Sequence, residues 1–174
     1  MSADTRPGPD EFHEFYAGYV SLVPAGNVLD ILDAQPAELR RLLGSVRSDG
    51  ETYRYDAGKW SVREVLGHVC DTERVFGYRA LCIGRGDATA LPGFDEKTYA
   101  SASGAHARTL NDLASDFAAA RAANGFVLRH LPESAWANVG DANGSPVSVR
   151  GLAYIMAGHV LHHMSVLRER YRIG

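Results

Sequence analysis

The amino-acid sequence predicts an all-α fold, with a four-helix bundle as the first choice. Four segments carry apolar residues at the helical spacing of i, i+3, i+4 and i+7, and turn-forming residues separate them. No segment shows a convincing strand alternation, although residues 52–55 could be extended. Because 174 residues are enough for one core, four amphipathic helices in this length favour a bundle.

The first two predicted helices have clear starting signals. The first covers residues 36–46, with Pro36 in its first turn, and a capped turn at residues 27–30 is expected to precede it. The second begins at Ser61, which forms the pattern of a capping box with Glu64 three residues later. Two closely spaced glycines are expected to end this second helix.

The third and fourth predicted helices lie in the second half of the chain. The third begins at Thr109 and is closed by Pro132, and the fourth extends from about Ser148 to Tyr171. Residues 87–107, which fit no amphipathic pattern, are predicted to be a loop. This loop is long for a connection between two helices, and long loops are often functional.

The composition is that of an ordinary globular protein and argues against two classes of partner. The chain has a formal net charge of −3 and no dense run of lysine or arginine, so nucleic acid is not an expected partner. No stretch approaches the roughly 18 consecutive apolar residues of a membrane span, and the N-terminus lacks a signal-peptide pattern. We therefore expect a cytoplasmic protein with no membrane partner.

The two cysteines, Cys70 and Cys82, are expected to be reduced. They lie about 18 Å apart on one predicted helix, which is too far for a disulfide bond.

Three histidines lie close together in the segment GHVLHHM of the fourth predicted helix. At about 100° per residue, His159 and His163 project within roughly 20° of the centre of the apolar face, whereas His162 lies at its edge, roughly 80° away. Imidazoles at i and i+4 can bind one metal ion, and ligation would satisfy two buried rings. A hydrogen-bonded pair of core histidines is the alternative, because HxxxH without a third ligand is a weak signal.

A third ligand would have to come from another segment, and the helical pattern alone does not select it. The remaining histidines are His13, His68, His106 and His130. On the second helix, the polar residue at the centre of the apolar face is Glu73 and not a histidine. This position predicts either a buried salt bridge or a carboxylate that orients a ligand or acts as a base. The candidate salt-bridge partners are Arg74, Arg79 and Arg150.

Three stretches of the chain together resemble the DinB family of metal-binding helical bundles. They are GKWSVREVLGHVCDTERVFGYRAL, LPGFDEKTY and ANGSPVSVRGLAYIMAGHVLHHMSVLRERY. The resemblance implies an up-down-down-up four-helix bundle over residues 19–174, preceded by an N-terminal lead-in of residues 1–18. It also implies a divalent metal held by one histidine of the second helix and an HxxxH pair of the fourth. Carried over residue by residue, these ligands are His68, His159 and His163, with His162 outside the set.

Three neutral imidazoles would leave a divalent ion with an open coordination position, as in catalytic sites. Zinc suits this ligand set best, and nickel, iron, manganese or cobalt could also bind. Such an ion can activate water or a thiol. Because characterised relatives use low-molecular-weight thiols, the first hypothesis is a thiol-dependent S-transferase acting on small electrophiles. A metal-dependent hydrolase of amides or esters and a non-catalytic metal-binding stress protein are the alternatives.

Two further features predict the surroundings of this site. Phe94, Asp95 and Tyr99 of the predicted loop could line a pocket for a small-molecule substrate, or could only pack and cap the loop. Tyr154 and Leu161 make the back of the fourth helix apolar as well. A helix that is apolar nearly all round is buried on both sides. We therefore predict a homodimer.

Overall fold

A computed structural model of the chain describes residues 5–174, most of which lie in six α-helices. The helices are α1 (Ala17–Leu22), α2 (Val28–Leu43), α3 (Val62–Gly84), α4 (Glu96–Ala102), α5 (Leu110–Arg129) and α6 (Val149–Glu169). Two three-residue strands, β1 (Val139–Asp141) and β2 (Pro146–Ser148), pair antiparallel between α5 and α6. Short 3-10 turns lie at Pro9–Glu11, Glu14–Tyr16, Ala105–Ala107 and Glu133–Ala137. Among the described residues, no helix is long and apolar enough to cross a membrane.

The four long helices form the predicted bundle, in which α2 and α5 run antiparallel. Arg40, near the end of α2, donates a hydrogen bond to Asn111 at the start of α5. Asp33, nearer the start of α2, pairs with Arg129 at the end of α5. These two contacts at opposite ends fix the relative direction of the helices, and α6 also packs against α2.

The helices α3 and α5 run parallel, which the long connection between them permits. A Cβ atom at Gly67, early in α3, would lie 2.8 Å from the Cβ of Ala105, just before α5. A Cβ atom at Gly84, the last residue of α3, would lie 2.9 Å from the side chain of Leu131, just after α5. Both helices therefore begin at the same end of the bundle.

The last helix, α6, returns in the opposite direction along α3. Tyr171, just beyond the end of α6, donates a 2.6 Å hydrogen bond to the carbonyl of Trp60, just before α3 begins. The four long helices consequently follow an up-down-down-up order. The predicted all-α, four-helix bundle of this topology is confirmed.

The predicted start of the first long helix was wrong. The helix begins at Val28, because Asn27 caps it by accepting a hydrogen bond from the amide of Leu29, and Pro36 lies in its interior. A proline inside a helix leaves the carbonyl four residues earlier without its helical donor. Here that carbonyl belongs to Leu32, and it accepts a 3.3 Å hydrogen bond from the guanidinium of Arg121. A contact from another helix thus makes the proline tolerable.

Two short elements were not predicted. The expected loop of residues 87–107 contains α4, which is capped by the side chain of Asp95 and is too short to show an amphipathic pattern. The strands β1 and β2 are likewise too short for alternation to be visible. Their hairpin turns at Asn143 and Gly144, whose φ values of 61° and 74° are both in the left-handed region that a type I′ turn requires. Residues 52–55, which could have been extended, form no strand.

The N-terminal segment covers the back of α6. A Cβ atom at Gly158 would lie 2.0 Å from the carbonyl oxygen of Tyr19, so glycine at this position lets α1 approach α6 closely. Tyr154 is 2% exposed, and the guanidinium of Arg6 lies 5.4 Å from its ring. The apolar back of α6, on which the predicted homodimer rested, is therefore covered within the chain. The homodimer stays a prediction without that support.

A partly buried ion pair fastens the N-terminal segment to the start of α6. The carboxylate of Glu11 accepts hydrogen bonds from Arg150 at 3.0 and 2.6 Å, from the hydroxyl of Ser148 at 2.8 Å and from the amide of Gly8 at 2.8 Å. Burial alone would raise the pKa of Glu11, but these hydrogen bonds outweigh it and lower the pKa below its ordinary value of 4.5. The carboxylate is therefore charged in the folded protein at neutral pH.

Replacing Glu11 by glutamine is expected to lower the free energy of unfolding by about 1–2 kcal/mol at neutral pH, because charge-assisted hydrogen bonds are lost. A carboxyl group whose pKa is lowered on folding stabilises the protein fully above its unfolded pKa, and this contribution disappears as pH falls through the folded value. The difference from the wild type should therefore shrink below about pH 4.5 in urea unfolding. The exposed Glu14→Gln variant is the matched control, and a difference for Glu11→Gln that is constant with pH would contradict the assignment.

Candidate metal centre

Three imidazole rings from two helices meet in the bundle interior. His68 comes from α3, and His159 and His163 come from successive turns of α6. The Nε2 atom of His159 lies 3.0 Å from Nε2 of His68 and 3.1 Å from Nε2 of His163. Ligating atoms of the three residues all lie within 4.8 Å of one another. The structure thus brings together the three histidines to which the resemblance assigned the metal.

This geometry fits one metal ion better than a set of hydrogen bonds. Each nitrogen of a neutral imidazole carries either one hydrogen or one lone pair. The Nε2 atom of His159 faces two other Nε2 atoms, so it can form a good hydrogen bond with only one of them. A single ion can accept all three lone pairs, and nitrogens about 2.0–2.1 Å from a tetrahedral zinc ion are about 3.4 Å apart. The observed 3.0 and 3.1 Å separations are close to that value.

The rings are neutral at physiological pH, which leaves their lone pairs available. Burial lowers the pKa of His68 to about 4. Burial also lowers the pKa of His159 and of His163 well below 6.5, and the neighbouring imidazoles lower both further. Protons therefore compete little with a metal for this site. The hydroxyl of Thr72, one turn beyond His68, lies 3.4 Å from the Nδ1 atom of His68 and can help to orient that ring.

The other four histidines lie outside this cluster. His162 is directed toward Tyr19, with 5.2 Å between the ring centroids. His106 and His130 are exposed, and the ring of His130 stacks on Phe126. His13 is in the N-terminal segment, where its Nδ1 atom accepts a hydrogen bond from the amide of Phe15.

Glu73 is buried in an ion pair whose partner differs from the predicted ones. Its two carboxylate oxygens accept hydrogen bonds at 2.9 and 2.8 Å from Arg121 of α5, and both side chains are 2% exposed. The amide of Asn124 donates a further 2.8 Å bond to the same carboxylate. Gln35 of α2 accepts a 2.6 Å bond from Arg121, so one network joins three helices. A catalytic or orienting role for Glu73 stays a prediction.

The sequence did contain a signal for this partner. Arg121 follows Leu113 and Phe117 at intervals of four residues, and both of those side chains are fully buried. A charged residue in such an apolar stripe predicts a buried ion pair, since an unpaired charge there is very costly. Spacing on a single helix does not say which other helix supplies the opposite charge.

A cleft of about 640 Å³ reaches the histidine cluster from the surface, and His68 and His159 form part of its wall. Its remaining walls come from other residues of α3, the N-terminal segment, the start of α4 with the residues just before it, and the tip of the β1–β2 hairpin, residues 142–145. The hairpin is held in place because the amide of Asn143 donates a hydrogen bond to the carbonyl of Leu91. The N-terminal and hairpin walls were not foreseen in the sequence, because residues distant along the chain form them together.

The loop residues that were considered as pocket residues have two different positions. Phe94 and Asp95 line the cleft. Tyr99 is not among the lining residues, and its ring packs edge-on against Phe94, with 5.1 Å between the ring centroids. The oxygen Oδ1 of Asp95 also accepts hydrogen bonds from two amides at the start of α4. Asp95 therefore both lines the cleft and caps α4, two roles that the sequence left as alternatives.

Comparison with known proteins agrees with the geometry. The sequence profile of the DinB superfamily matches residues 31–167, a span that contains all three histidines. No curated protein matches the chain. A solved structure of YfiT from Bacillus subtilis superposes with a TM-score of 0.77 at 16% identity, covering 97% of this chain and 93% of that chain. YfiT is described as "a probable metal-dependent hydrolase with an unusual four-helix bundle topology". The chain belongs to the DinB superfamily.

Proposed function

We propose that this protein is a divalent-metal-dependent enzyme that transfers a small thiol to a small electrophile. The observation that carries the proposal is the convergence of three neutral, buried Nε2 atoms beside a cleft large enough for a small molecule. His68, His159 and His163 would hold the ion, and zinc is the metal that suits them best. A divalent ion in this site would act as a Lewis acid that keeps a bound thiol in its thiolate form.

The cleft suits an apolar electrophile. Aromatic side chains of the N-terminal segment and of α3 form much of its wall, among them Tyr16, Tyr19 and Phe76. Aromatic walls exclude water and hold apolar groups in a defined orientation. In the transfer, the thiol sulfur forms a bond to an electrophilic carbon, and the leaving group departs with the electron pair of the broken bond. The proton released by the thiol goes to solvent or to the leaving group.

Neither cysteine of the chain is placed to act as the thiol nucleophile, so the proposed thiol is a separate small molecule. Burial, together with the nearby carboxylate of Asp116, raises the pKa of the Cys70 thiol to about 12, so this thiol is protonated at neutral pH. Cys82, also a free thiol, is half-buried and is not among the residues that line the cleft.

The surroundings of the three rings favour a thiol over water as nucleophile. Hydrolysis benefits from a positioned carboxylate that takes a proton from water. Glu73 is held by Arg121, and the two carboxylates that line the cleft, Asp95 and Glu96, are both exposed. A thiol ionises near pH 8.5 and therefore needs less help from a protein base than water does. A hydrolase is the second candidate, supported by the description of YfiT.

The proposal is tested by measuring thiol conjugation with zinc-loaded protein, using a panel of bacterial low-molecular-weight thiols and aryl halide or epoxide acceptors. We expect acceleration that depends on both zinc and thiol. We also expect the His159→Ala variant to lose it, while the His162→Ala variant retains it. Hydrolysis of esters or amides without added thiol would support the hydrolase instead. Stoichiometric zinc with neither activity would contradict both.

A further inference from the structure

The cleft contains a buried arginine that no carboxylate among the described residues neutralises. Arg79 of α3 is 3% exposed and lines the cleft. Its guanidinium donates a 2.7 Å hydrogen bond from Nη2 to the carbonyl of Pro92 and lies 5.7 Å from the centre of the Phe76 ring. Within residues 5–174, no aspartate or glutamate lies within salt-bridge distance of it.

The other deeply buried arginines have carboxylate partners. Arg121 pairs with Glu73, and Arg150 pairs with Glu11. An ionised group that is removed from water is costly unless an opposite charge and hydrogen bonds compensate it. A guanidinium has five N–H donors in a planar fork, and one carbonyl cannot satisfy them. Arg79 is therefore a cation with unused donors at the edge of a cavity, which is an arrangement that suits an anion entering from solvent.

The position of Arg79 relative to the histidine cluster defines the shape of such a ligand. His68, Thr72, Phe76 and Arg79 form one stripe of α3 facing the cleft. The first and last of them are eleven positions apart, which is roughly 16 Å along the helix axis. The ring of Phe76 bridges this distance, because its centroid lies 5.7 Å from the guanidinium of Arg79 and 6.2 Å from the centroid of the His159 ring. The guanidinium therefore lies within about 12 Å of that ring. One molecule can reach both ends of the stripe.

The two carboxylates that line the cleft do not pair with Arg79, so they leave the position beside its guanidinium free for an anion of the ligand. Asp95 and Glu96 are at the start of α4, where both are exposed and Asp95 caps the helix. The aromatic ring of Phe76 lies between the histidine end and the Arg79 end of the stripe, which suits an apolar middle section of the ligand. The wall thus presents a candidate metal site, an apolar section and a cation in that order.

We propose that Arg79 binds a carboxylate at the far end of an elongated substrate whose reactive end lies at the three histidines. This inference rests on the proposed function, because it assigns the substrate class of the same site. Arginine is well suited to the role, since its planar fork binds a carboxylate through two parallel hydrogen bonds. Arg79 is then a specificity-determining residue and takes no part in the reaction itself.

The test uses zinc-loaded protein and two probes, mercaptohexanoate and mercaptohexanol, which differ in one terminal group. Isothermal titration calorimetry gives the dissociation constant for each probe. We expect the carboxylate probe to bind about ten-fold more tightly than the alcohol, because charge-assisted hydrogen bonds are strong in a desolvated site. In the Arg79→Met variant the two affinities should become equal within about two-fold. The Arg79→Lys variant should keep part of the preference, since it keeps the charge and loses the fork.

Arg85→Met is the matched control, since Arg85 is an exposed residue just beyond α3. This variant should retain the full preference for the carboxylate probe. Equal affinities in the wild type, or a preference that survives in Arg79→Met, would overturn the role of Arg79 and leave the proposed function standing. If neither thiol binds although zinc is stoichiometric, the proposed function fails. The same comparison with hexanoate and hexanol, which contain no sulfur, then decides the role of Arg79.

Discussion

Replacing His159 by alanine is expected to weaken zinc binding roughly a hundred-fold. His159 lies between the other two rings, with its Nε2 atom 3.0 Å from that of His68 and 3.1 Å from that of His163. A protein site with several ligands binds zinc with a free energy on the order of 10 kcal/mol. If three rings contribute similarly, the loss of one removes about 3 kcal/mol, which corresponds to a factor of roughly a hundred. Competition with a chromophoric chelator measures this change.

The control for this experiment is His162→Ala, which removes a neighbouring imidazole that lies outside the cluster. His162 contacts Tyr19 and does not belong to the group of three whose ligating atoms lie within 4.8 Å of one another, so its replacement should leave zinc affinity within about two-fold of the wild type. The His68→Ala variant, which removes the ligand contributed by α3, should resemble His159→Ala. An unchanged zinc affinity in either of these two variants would show that the rings do not share an ion.

The orientation of the fourth helix could be predicted from the sequence, and that orientation determines much of the site. His159 and His163 lie in the middle of an apolar stripe, so their inward direction follows from helical spacing alone. His68 could not be identified as a metal ligand in this way, because it lies off the apolar face of the second predicted helix. Only the resemblance to the family predicted that it binds the metal. In the structure it faces α6, where its Nε2 atom lies 3.0 Å from that of His159, and this orientation depends on how α3 and α6 pack together.

The features that the sequence did not reveal depend on contacts between distant segments. Pro36 was expected to open a helix, because its tolerance inside α2 depends on a donor from α5. Residues 1–18 were predicted to be a lead-in, and within them Glu11 pairs with Arg150 of α6 while His13 and Tyr16 line the cleft. Periodicity describes one helix at a time. It identifies the buried face, and tertiary contacts decide what covers that face.

Replacing Arg121 by methionine is expected to lower the free energy of unfolding by about 3–5 kcal/mol, the usual cost of leaving one partner of a buried ion pair alone. The carboxylate of Glu73 would remain 2% exposed with only the amide of Asn124 as a side-chain donor. The carbonyl of Leu32 would also lose the donor that compensates for Pro36. Urea unfolding at neutral pH measures the change. A loss below about 1 kcal/mol would contradict the assignment of a desolvated pair.

Replacing both partners separates the structural role of Glu73 from the catalytic role that the sequence suggested. The double variant Glu73→Leu with Arg121→Met contains no unpaired charge and has side chains of similar volume, so it should regain most of the stability lost in Arg121→Met. The hydrogen bonds of Glu73 go to Arg121 and Asn124 rather than to the three rings. We therefore expect the double variant to bind zinc about as well as the wild type.

If Glu73 orients a ligand, zinc affinity should instead fall about 10- to 100-fold even though the fold is stable. If it acts as a base, zinc affinity should be retained and turnover should fall by a similar or larger factor.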